Sequence, residues 1–267
     1  MSDLPPPPPL PPPPPPPPGG GPADGAPPPD LARPRIRWGI GDAVIAFVVG
    51  IVAGVVVAAP FLGSSSESVT TPAVLIASIF GQDIAIIAWL AMVARRKGLG
   101  SLGADFGLTF RPALARGIGE LKWLLIGVGV QLVALVPTAL LQELHGGDAK
   151  QDVVNTAGKA RGLEVVLMIV GVALLAPLTE ELLFRGALLR SVMRRTTPEI
   201  AVFVSACVFG LVHAIGDPSV GTMIALPAII ALGIVSGYQA VKTGDLARSV
   251  MLHVGFNALS VILLFTT

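Results

Sequence analysis

The sequence predicts an all-α protein, a polytopic transmembrane helix bundle of about seven spans with a disordered proline-rich N-terminal tail. Its 267 residues are 52% hydrophobic and 13% charged, whereas soluble domains carry about 25% charged residues. The apolar residues are concentrated in seven long runs, and a helix of about 20 apolar residues crosses a hydrocarbon core ~30 Å thick. The net charge of +1 provides no basic footprint for nucleic acid, so we expect no nucleic-acid partner.

Residues 1–37 are predicted to form a disordered cytoplasmic tail, followed by a transmembrane domain over 38–267. Proline dominates the start of the chain, with little else besides glycine. Such a segment cannot bury enough apolar surface to fold, so we expect extended polyproline II or disorder. A solvated tail is the simpler interpretation. Because proline-rich stretches also dock on partner proteins, binding of a cytoplasmic partner is the alternative.

The predicted spans are separated by polar or glycine-rich connections. Trp38 opens the first span and is expected to act as an anchor at the membrane interface. The connection at 98–119 is rich in glycine and broken by Pro112, so it is predicted to run irregularly along the cytoplasmic side or the interface. The spans are placed at residues 38–62, 72–94, 120–142, 163–189, 199–216, 220–241 and 246–266.

Positive charge predicts the orientation of these spans, because cytoplasmic loops carry an excess of lysine and arginine. Basic residues cluster before the first span and then at alternate connections. They are Arg33, Arg35, Arg37, Arg95, Arg96, Lys97, Arg190, Arg194, Arg195, Lys242 and Arg248. The other side has the connections at 64–68 and 215–219, which lack this excess, and the mixed-charge connection at 145–162, which contains Lys150, Lys159 and Arg161. The sequence therefore predicts a multi-pass cell-membrane protein whose N-terminus is cytoplasmic.

The fourth span contains ionisable residues where a membrane helix is expected to be apolar. A charge at the centre of a span costs about 2.5–3.5 kcal/mol on insertion scales, and such residues mark a functional site by default. Glu181 and Arg185 are four residues apart and face each other on a helix. Glu180 points about 100° away from this pair. A buried carboxyl group without a cation suits a general base or acid, so Glu180 is the catalytic candidate and Glu181–Arg185 the supporting pair.

Two of the three histidines lie in apolar segments downstream of these acids. His213 follows Phe209 by four residues, and Asn257 follows His253 by four, so each pair shares a helical face. Counted from the cytoplasmic ends at ~1.5 Å per residue, Glu180 lies about 14 Å deep, His253 about 10 Å and His213 about 21 Å. Because these depths differ, a common site requires tilted helices.

Three short motifs resemble, in order and internal spacing, the signature motifs of the CPBP intramembrane endopeptidases. They are Glu180-Glu181-x-x-x-Arg185, Phe209-x-x-x-His213 and His253-x-x-x-Asn257. That family includes the type II CAAX prenyl endopeptidases and bacterial proteins linked to bacteriocin maturation and self-immunity. The segment 233–257 is also similar to the family's approach to its last motif. The resemblance extends over roughly residues 70–267 and leaves the proline-rich tail outside.

The resemblance implies an intramembrane protease that hydrolyses a peptide bond of a membrane-associated protein or peptide. In the family, the first glutamate and the second-motif histidine are thought to activate water, which assigns that role to Glu180 and His213. The histidine and asparagine of the third motif are proposed to stabilise the oxyanion, which assigns His253 and Asn257. An asparagine side chain has two N–H donors and cannot act as a base, so a donor role suits Asn257.

Three alternatives stay open at this point. Two histidines and a carboxylate are a common ligand set for catalytic zinc, so a metalloprotease would bind Zn²⁺ through Glu180, His213 and His253. A mechanism without a metal cofactor is preferred, because the remaining base, Glu181, is paired with Arg185 and no HExxH sequence is present. The second alternative is a non-proteolytic immunity or scaffolding protein of the membrane. The third is a proton-coupled transporter, although the internal repeat typical of transporters is not evident.

Overall fold

The structure, a computed structural model, describes residues 36–62, 71–115, 117–145 and 151–266. These residues form helices and no strand, and seven of the helices are long and apolar enough to cross a membrane. The predicted seven-span, all-α bundle is therefore confirmed. The predicted disordered tail lies almost entirely outside the described residues, as do Arg33, Arg35 and the connection at 64–68.

The long helices, named α1 to α7, agree with the predicted spans within a few residues at each end. They are α1 (Ile40–Ala58), α2 (Pro72–Lys97), α3 (Lys122–Leu144), α4 (Leu163–Met193), α5 (Pro198–Gly216), α6 (Val220–Thr243) and α7 (Ala247–Thr266). Short helical segments lie between or beside them, at Ala59–Phe61, Leu102–Phe106, Arg111–Ala115, Ile118–Leu121 and Asp152–Ala157.

Local sequence explains where several of these helices begin and end. A threonine followed by a proline precedes both α2 and α5. The hydroxyl groups of Thr71 and Thr197 accept hydrogen bonds from the backbone N–H three residues later. Proline suits the first helical position because its missing N–H is not needed there. Helix α6 ends at Thr243 and is followed by Gly244, whose φ of +73° is a left-handed conformation that glycine adopts without steric cost.

Helix α4 is the central element of the bundle and packs against α1, α2, α5, α6 and α7. Two stretches of it, Val170–Leu175 and Glu181–Leu189, are π-helical. In a π-helix each N–H bonds to the carbonyl five residues earlier, and such turns are frequent at functional sites. All nine residues of Glu181–Leu189 are buried. Protein surrounds this part of α4, which is why it can carry charged side chains.

Helices α3 and α7 approach each other closely through two glycines. A Cβ atom on Gly127 would meet the backbone carbonyl oxygen of Leu252, and one on Gly255 would meet that of Leu124. Small residues of this kind allow the backbones of membrane helices to come into contact. The contact fixes the position of α7 along its neighbours, and with it the position of His253.

The outer faces of α1 and α3 are apolar and exposed. Their exposed side chains include Val44, Val48, Val52, Val55, Leu125, Leu132, Val133, Val136 and Leu140. Contiguous apolar surface on this scale marks a membrane contact when the helices also have spanning length. The chain is therefore a multi-pass membrane protein.

The connection between α2 and α3 is more ordered than its sequence predicts. Its first short helix, Leu102–Phe106, packs against α4, and Asp105 accepts a hydrogen bond of 2.7 Å from the indole N–H of Trp38. Trp38 is 3% exposed, and its ring centroid lies 4.7 Å from that of Phe106. Trp38 thus attaches α1 to the protein interior, whereas the sequence predicted an anchor facing the membrane interface.

Basic residues meet at one end of the bundle, here called the basic end and defined by Arg37, Lys97, Arg190 and Arg194. The guanidinium of Arg37 donates to the backbone oxygen of Arg96, that of Arg190 to Gly244, and that of Arg194 to Trp38. Lys97 Nζ lies 2.5 Å from Asp42 Oδ1. Arg37, Lys97, Arg190 and Arg194, four of the basic residues at the predicted cytoplasmic connections, therefore lie at the same end of the bundle.

Candidate active site

The second half of α4 carries the three charged residues of the first motif, and the turn that precedes them binds Asn257 of the third motif. In the π-helical pattern, the N–H of Ala176 donates to the carbonyl oxygen of Gly171, five residues earlier. In the same pattern, the carbonyl oxygen of Val172 would accept from the N–H of residue 177. Residue 177 is a proline and has no N–H. The carbonyl oxygen of Val172 lacks this backbone partner and instead accepts a hydrogen bond of 2.9 Å from Asn257 Nδ2. The proline thus creates the acceptor that orients Asn257.

Glu181, Arg185 and His253 form a fully buried group. Arg185 Nη1 lies 3.2 Å from Glu181 Oε1, and the same oxygen lies 2.9 Å from His253 Nδ1. Because an ionised carboxylate only accepts hydrogen bonds, the Nδ1–H of His253 donates to Glu181. The predicted Glu181–Arg185 pair is present in the structure, and it also holds the imidazole ring of α7 in place.

Glu180 lies beside both histidines. Its Oε2 is 3.4 Å from His253 Nε2 and its Oε1 is 3.8 Å from His213 Nε2. The side chain is 23% exposed, in contrast to the fully buried Glu181. The structure therefore brings Glu180, His213 and His253 together from α4, α5 and α7, although their counted depths differ.

Phe209 is the aromatic centre of this group, a role that its spacing in the sequence does not predict. Its ring centroid lies 4.5 Å from that of His213 and 5.7 Å from that of His253. On the same ring, the guanidinium carbon of Arg185 lies 4.5 Å from the centroid. A cation over an aromatic ring is stabilised when both are desolvated, so Phe209 supports Arg185 while also contacting both histidine rings.

A small cavity of about 30 Å³ opens beside Glu180. Its polar lining residues come from α2, α4 and α5 and are Gln82, Asp83, Thr179, Glu180 and His213. The sequence offers one signal for the contribution of α2, since Asp83 is an acid within the otherwise apolar stretch FGQDIAI. A larger, apolar groove of about 630 Å³ lies between α3 and α6, and none of the predicted site residues lines it.

The zinc alternative receives no support from the structure. Within the described part of the chain, no group of three or more His, Cys, Asp and Glu residues is arranged to hold a metal ion. The base that this alternative requires, Glu181, shares its Oε1 between Arg185 and His253. We therefore derive no step from a metal ion.

The family comparison agrees with these motifs. Residues 162–259 match the family model described as Type II CAAX prenyl endopeptidase Rce1-like. The predicted resemblance is confirmed. The matched segment is a little over a third of the chain and contains every predicted site residue, from Glu180 to Asn257. The match implies an intramembrane protease of the CAAX protease type. No curated protein and no solved structure matches the chain.

Proposed function

We propose that this protein is an intramembrane endopeptidase that uses Glu180 to activate water and hydrolyse a peptide bond. The observation that carries the proposal is the position of the Glu180 carboxylate, within 3.8 Å of His213 and 3.4 Å of His253 and beside a polar cavity. A carboxylate next to imidazole groups, in a space that water can enter, is an arrangement for general base catalysis.

The tautomer of His213 supports its role in water activation. Its Nδ1 lies 2.9 Å from the backbone oxygen of Phe209, and a carbonyl oxygen only accepts, so Nδ1 carries the hydrogen. In the neutral ring, Nε2 is then an acceptor. One water molecule can therefore donate one hydrogen to Glu180 Oε1 and the other to His213 Nε2, which leaves a lone pair of the water oxygen for the attack.

The proton balance of the reaction needs only Glu180. The water oxygen bonds to the scissile carbonyl carbon while Glu180 accepts a proton, and the carbonyl oxygen becomes an oxyanion. Glu180 then returns this proton to the leaving nitrogen as the carbon–nitrogen bond breaks. The products are a carboxylic acid and an amine, and Glu180 is again a carboxylate.

We assign His253 and Asn257 to the stabilisation of the oxyanion. The Nδ2 of Asn257 has two N–H groups, and the bond to Val172 O occupies one of them, so the second can donate to substrate. His253 donates its Nδ1–H to Glu181 and directs Nε2 toward Glu180. The doubly protonated ring also carries a hydrogen on Nε2, and this N–H can donate to the oxyanion. An oxyanion donor contributes about 2.7–4 kcal/mol in other hydrolases.

The substrate class we propose is a protein or peptide that reaches the site from the membrane, and cleavage after a prenylated cysteine is one form of it. We place the N-terminus in the cytoplasm, because the basic end joins Arg37 to the end of α2 and Trp38 to Arg194 just after α4, and cytoplasmic ends of spans are enriched in positive charge. The proline-rich tail is then available to a cytoplasmic partner.

The test is cleavage of a library of membrane-associated peptides by the detergent-purified, full-length protein. We expect Glu180→Gln to lower kcat by about 10²–10⁴-fold, because the amide keeps the size of the side chain but cannot accept the proton. The matched control is Glu199→Gln, the same change at an exposed acid on α5, which should cleave like the wild type. We expect a strong chelator to leave the activity unchanged.

Cleavage by Glu180→Gln at the wild-type rate would contradict the proposal. Loss of activity on chelation, restored by Zn²⁺, would return the metalloprotease to consideration. If Glu180→Gln retained the full biological activity of the protein in cells, a non-proteolytic immunity or scaffolding role would replace the protease.

A further inference from the structure

Asp83 is a buried acid that the mechanism above does not use. It lies on α2, is 3% exposed, and lines the same cavity as Glu180 and His213. The two carboxyl groups are near enough to interact electrostatically. Among the described residues, no donor forms a hydrogen bond with Asp83 Oδ2. An acid at membrane depth is costly, so this position calls for a physical explanation.

Thr179, on α4, has the same property and lines the same cavity. Its side chain is fully buried, it lines the cavity with Asp83, and its Oγ1 has no hydrogen-bond partner in the described part of the structure. A buried polar group without a partner costs about 1–3 kcal/mol. Two such groups that border one polar cavity are the arrangement in which proteins hold internal water.

The volume and the lining of the cavity both fit water. A cavity needs about 10–15 Å³ for one water molecule, and this one has about 30 Å³. A buried water requires two to four polar partners. Glu180, His213, Asp83 and Thr179 provide them from three helices.

We propose that Asp83 and Thr179 form a water-binding site that supplies the attacking water to Glu180 and His213. The inference rests on the proposed function. Each hydrolysis consumes one water molecule, and the hydrocarbon core of a bilayer holds none to replace it. A water held by the carboxyl group of Asp83 and the hydroxyl group of Thr179 lies next to the attack position and refills it after each turnover. Asp83 is thus a positioning residue that acts through water and leaves proton transfer to Glu180.

The kinetic test uses substitutions that separate hydrogen bonding from shape. Thr179→Val keeps the shape and removes the hydroxyl, and Asp83→Leu removes the carboxyl. We expect each to lower kcat about tenfold, the loss of roughly one hydrogen bond. KM should be unchanged, because in this proposal both residues bind water and leave the peptide to other groups. Asp83→Asn should stay within about threefold of the wild type, since an amide also binds water.

Thr138→Val is the matched control for Thr179→Val. Thr138 lies on α3, lines the apolar groove and donates its hydroxyl to Ala134 O within its own helix. We expect kcat to stay at the wild-type value. A kcat of Asp83→Leu or Thr179→Val within twofold of the wild type would overturn the inference. So would an Asp83→Asn variant as slow as Asp83→Leu, because more than water binding would then be required.

A structural measurement decides the inference without reference to cleavage. An experimental structure that resolves waters should show one within hydrogen-bonding distance of both Asp83 Oδ2 and Thr179 Oγ1, and Asp83→Leu should lose it. An experimental structure that resolves waters elsewhere but shows none in contact with Asp83 would overturn the water-binding site. A wild-type protein that binds this water but cleaves no substrate would reject the proposed protease function and leave the water-binding site established.

Discussion

Two groups of charged residues in this protein, one inside the bundle and one at the basic end, are held in different ways. Inside, Glu181 and Arg185 are both fully buried and lie 3.2 Å apart. At the basic end, the ion pair of Lys97 and Asp42 measures 2.5 Å, and the lysine side chain is 47% exposed. By distance alone, the Lys97–Asp42 pair would be considered the stronger of the two, although its aspartate is also buried.

The difference lies in what compensates each charge. Lys97 keeps much of its solvation, so its pairing replaces water by a carboxylate at little net gain. Arg185 and Glu181 have lost their solvation, and His253, Phe209, the neighbouring Glu180 and each other compensate for it. Removing one partner of a buried pair therefore leaves an uncompensated charge, which is costly. The interior group determines the geometry of the site, whereas the basic end attaches α1 to the rest of the bundle.

The largest effect is expected at Arg185. Arg185→Met retains most of the side-chain volume but leaves the Glu181 carboxylate buried without its cation, so we expect the free energy of unfolding to fall by about 3–5 kcal/mol. An unfolding titration in mixed micelles measures this. The double variant Glu181→Gln, Arg185→Met should lose less than the single variant, because it buries no unpaired charge. A double variant less stable than Arg185→Met would show that the pair does not behave as a desolvated unit.

A smaller effect is expected at the basic end. Lys97→Met removes the cation beside Asp42, whose Oδ2 still accepts a hydrogen bond from Gly39 N–H. Because Lys97 is nearly half exposed and Asp42 keeps the bond from Gly39, we expect a loss close to that of an exposed ion pair, about 0.2–1 kcal/mol, and a decrease of that loss at high salt. The same unfolding titration at two salt concentrations measures both the loss of stability and its decrease with salt. A loss as large as that of Arg185→Met would remove the distinction between the two regions.

The smallest effect is expected at the other end of α5, where Asp217 lies outside the spans. Burial raises the pKa of Asp217, but hydrogen bonds from Ser219, Val153 and Thr222 outweigh it and hold the pKa below the ordinary value of 3.8. The carboxylate therefore stabilises the fold at a pH above the pKa of the unfolded chain, and this stability is lost as the pH falls through the folded pKa.

Asp217→Asn should consequently be less stable than the wild type at neutral pH, by about a few tenths of a kcal/mol because solvent screens this partly exposed group. The two proteins should approach equal stability below about pH 3.9. Unfolding titrations between pH 7 and pH 3 measure the difference. A difference that grows as the pH falls would reverse the sign of the linkage and contradict the assignment.

Much of the site could be predicted from local sequence, and its connections could not. Glu180 and Glu181 are adjacent acids in one apolar run, and the pairing of Glu181 with Arg185 follows from their spacing. The sequence does not predict that His253 Nδ1 binds the same oxygen of Glu181, because the two residues belong to different helices. Asp83 is visible as an isolated acid in α2, but only the packing of α2 against α4 brings it to the cavity of Glu180.

By itself, the sequence determined the seven spans, because a continuous apolar run of sufficient length can satisfy its backbone in a membrane only as a helix. It also determined which side chains are too polar to face lipid. Only the tertiary structure decided that Glu180, His213 and His253 meet, because their depths, counted along the sequence, differ. That count assumes a straight α-helix, whereas Glu181–Leu189 is π-helical and gains less length per residue, which brings the depth of Glu180 closer to that of His253. His213 reaches the site through the packing of α5 against this part of α4. The glycine contact of α3 with α7 then sets the position of His253, and such a contact depends on two surfaces that are distant in sequence.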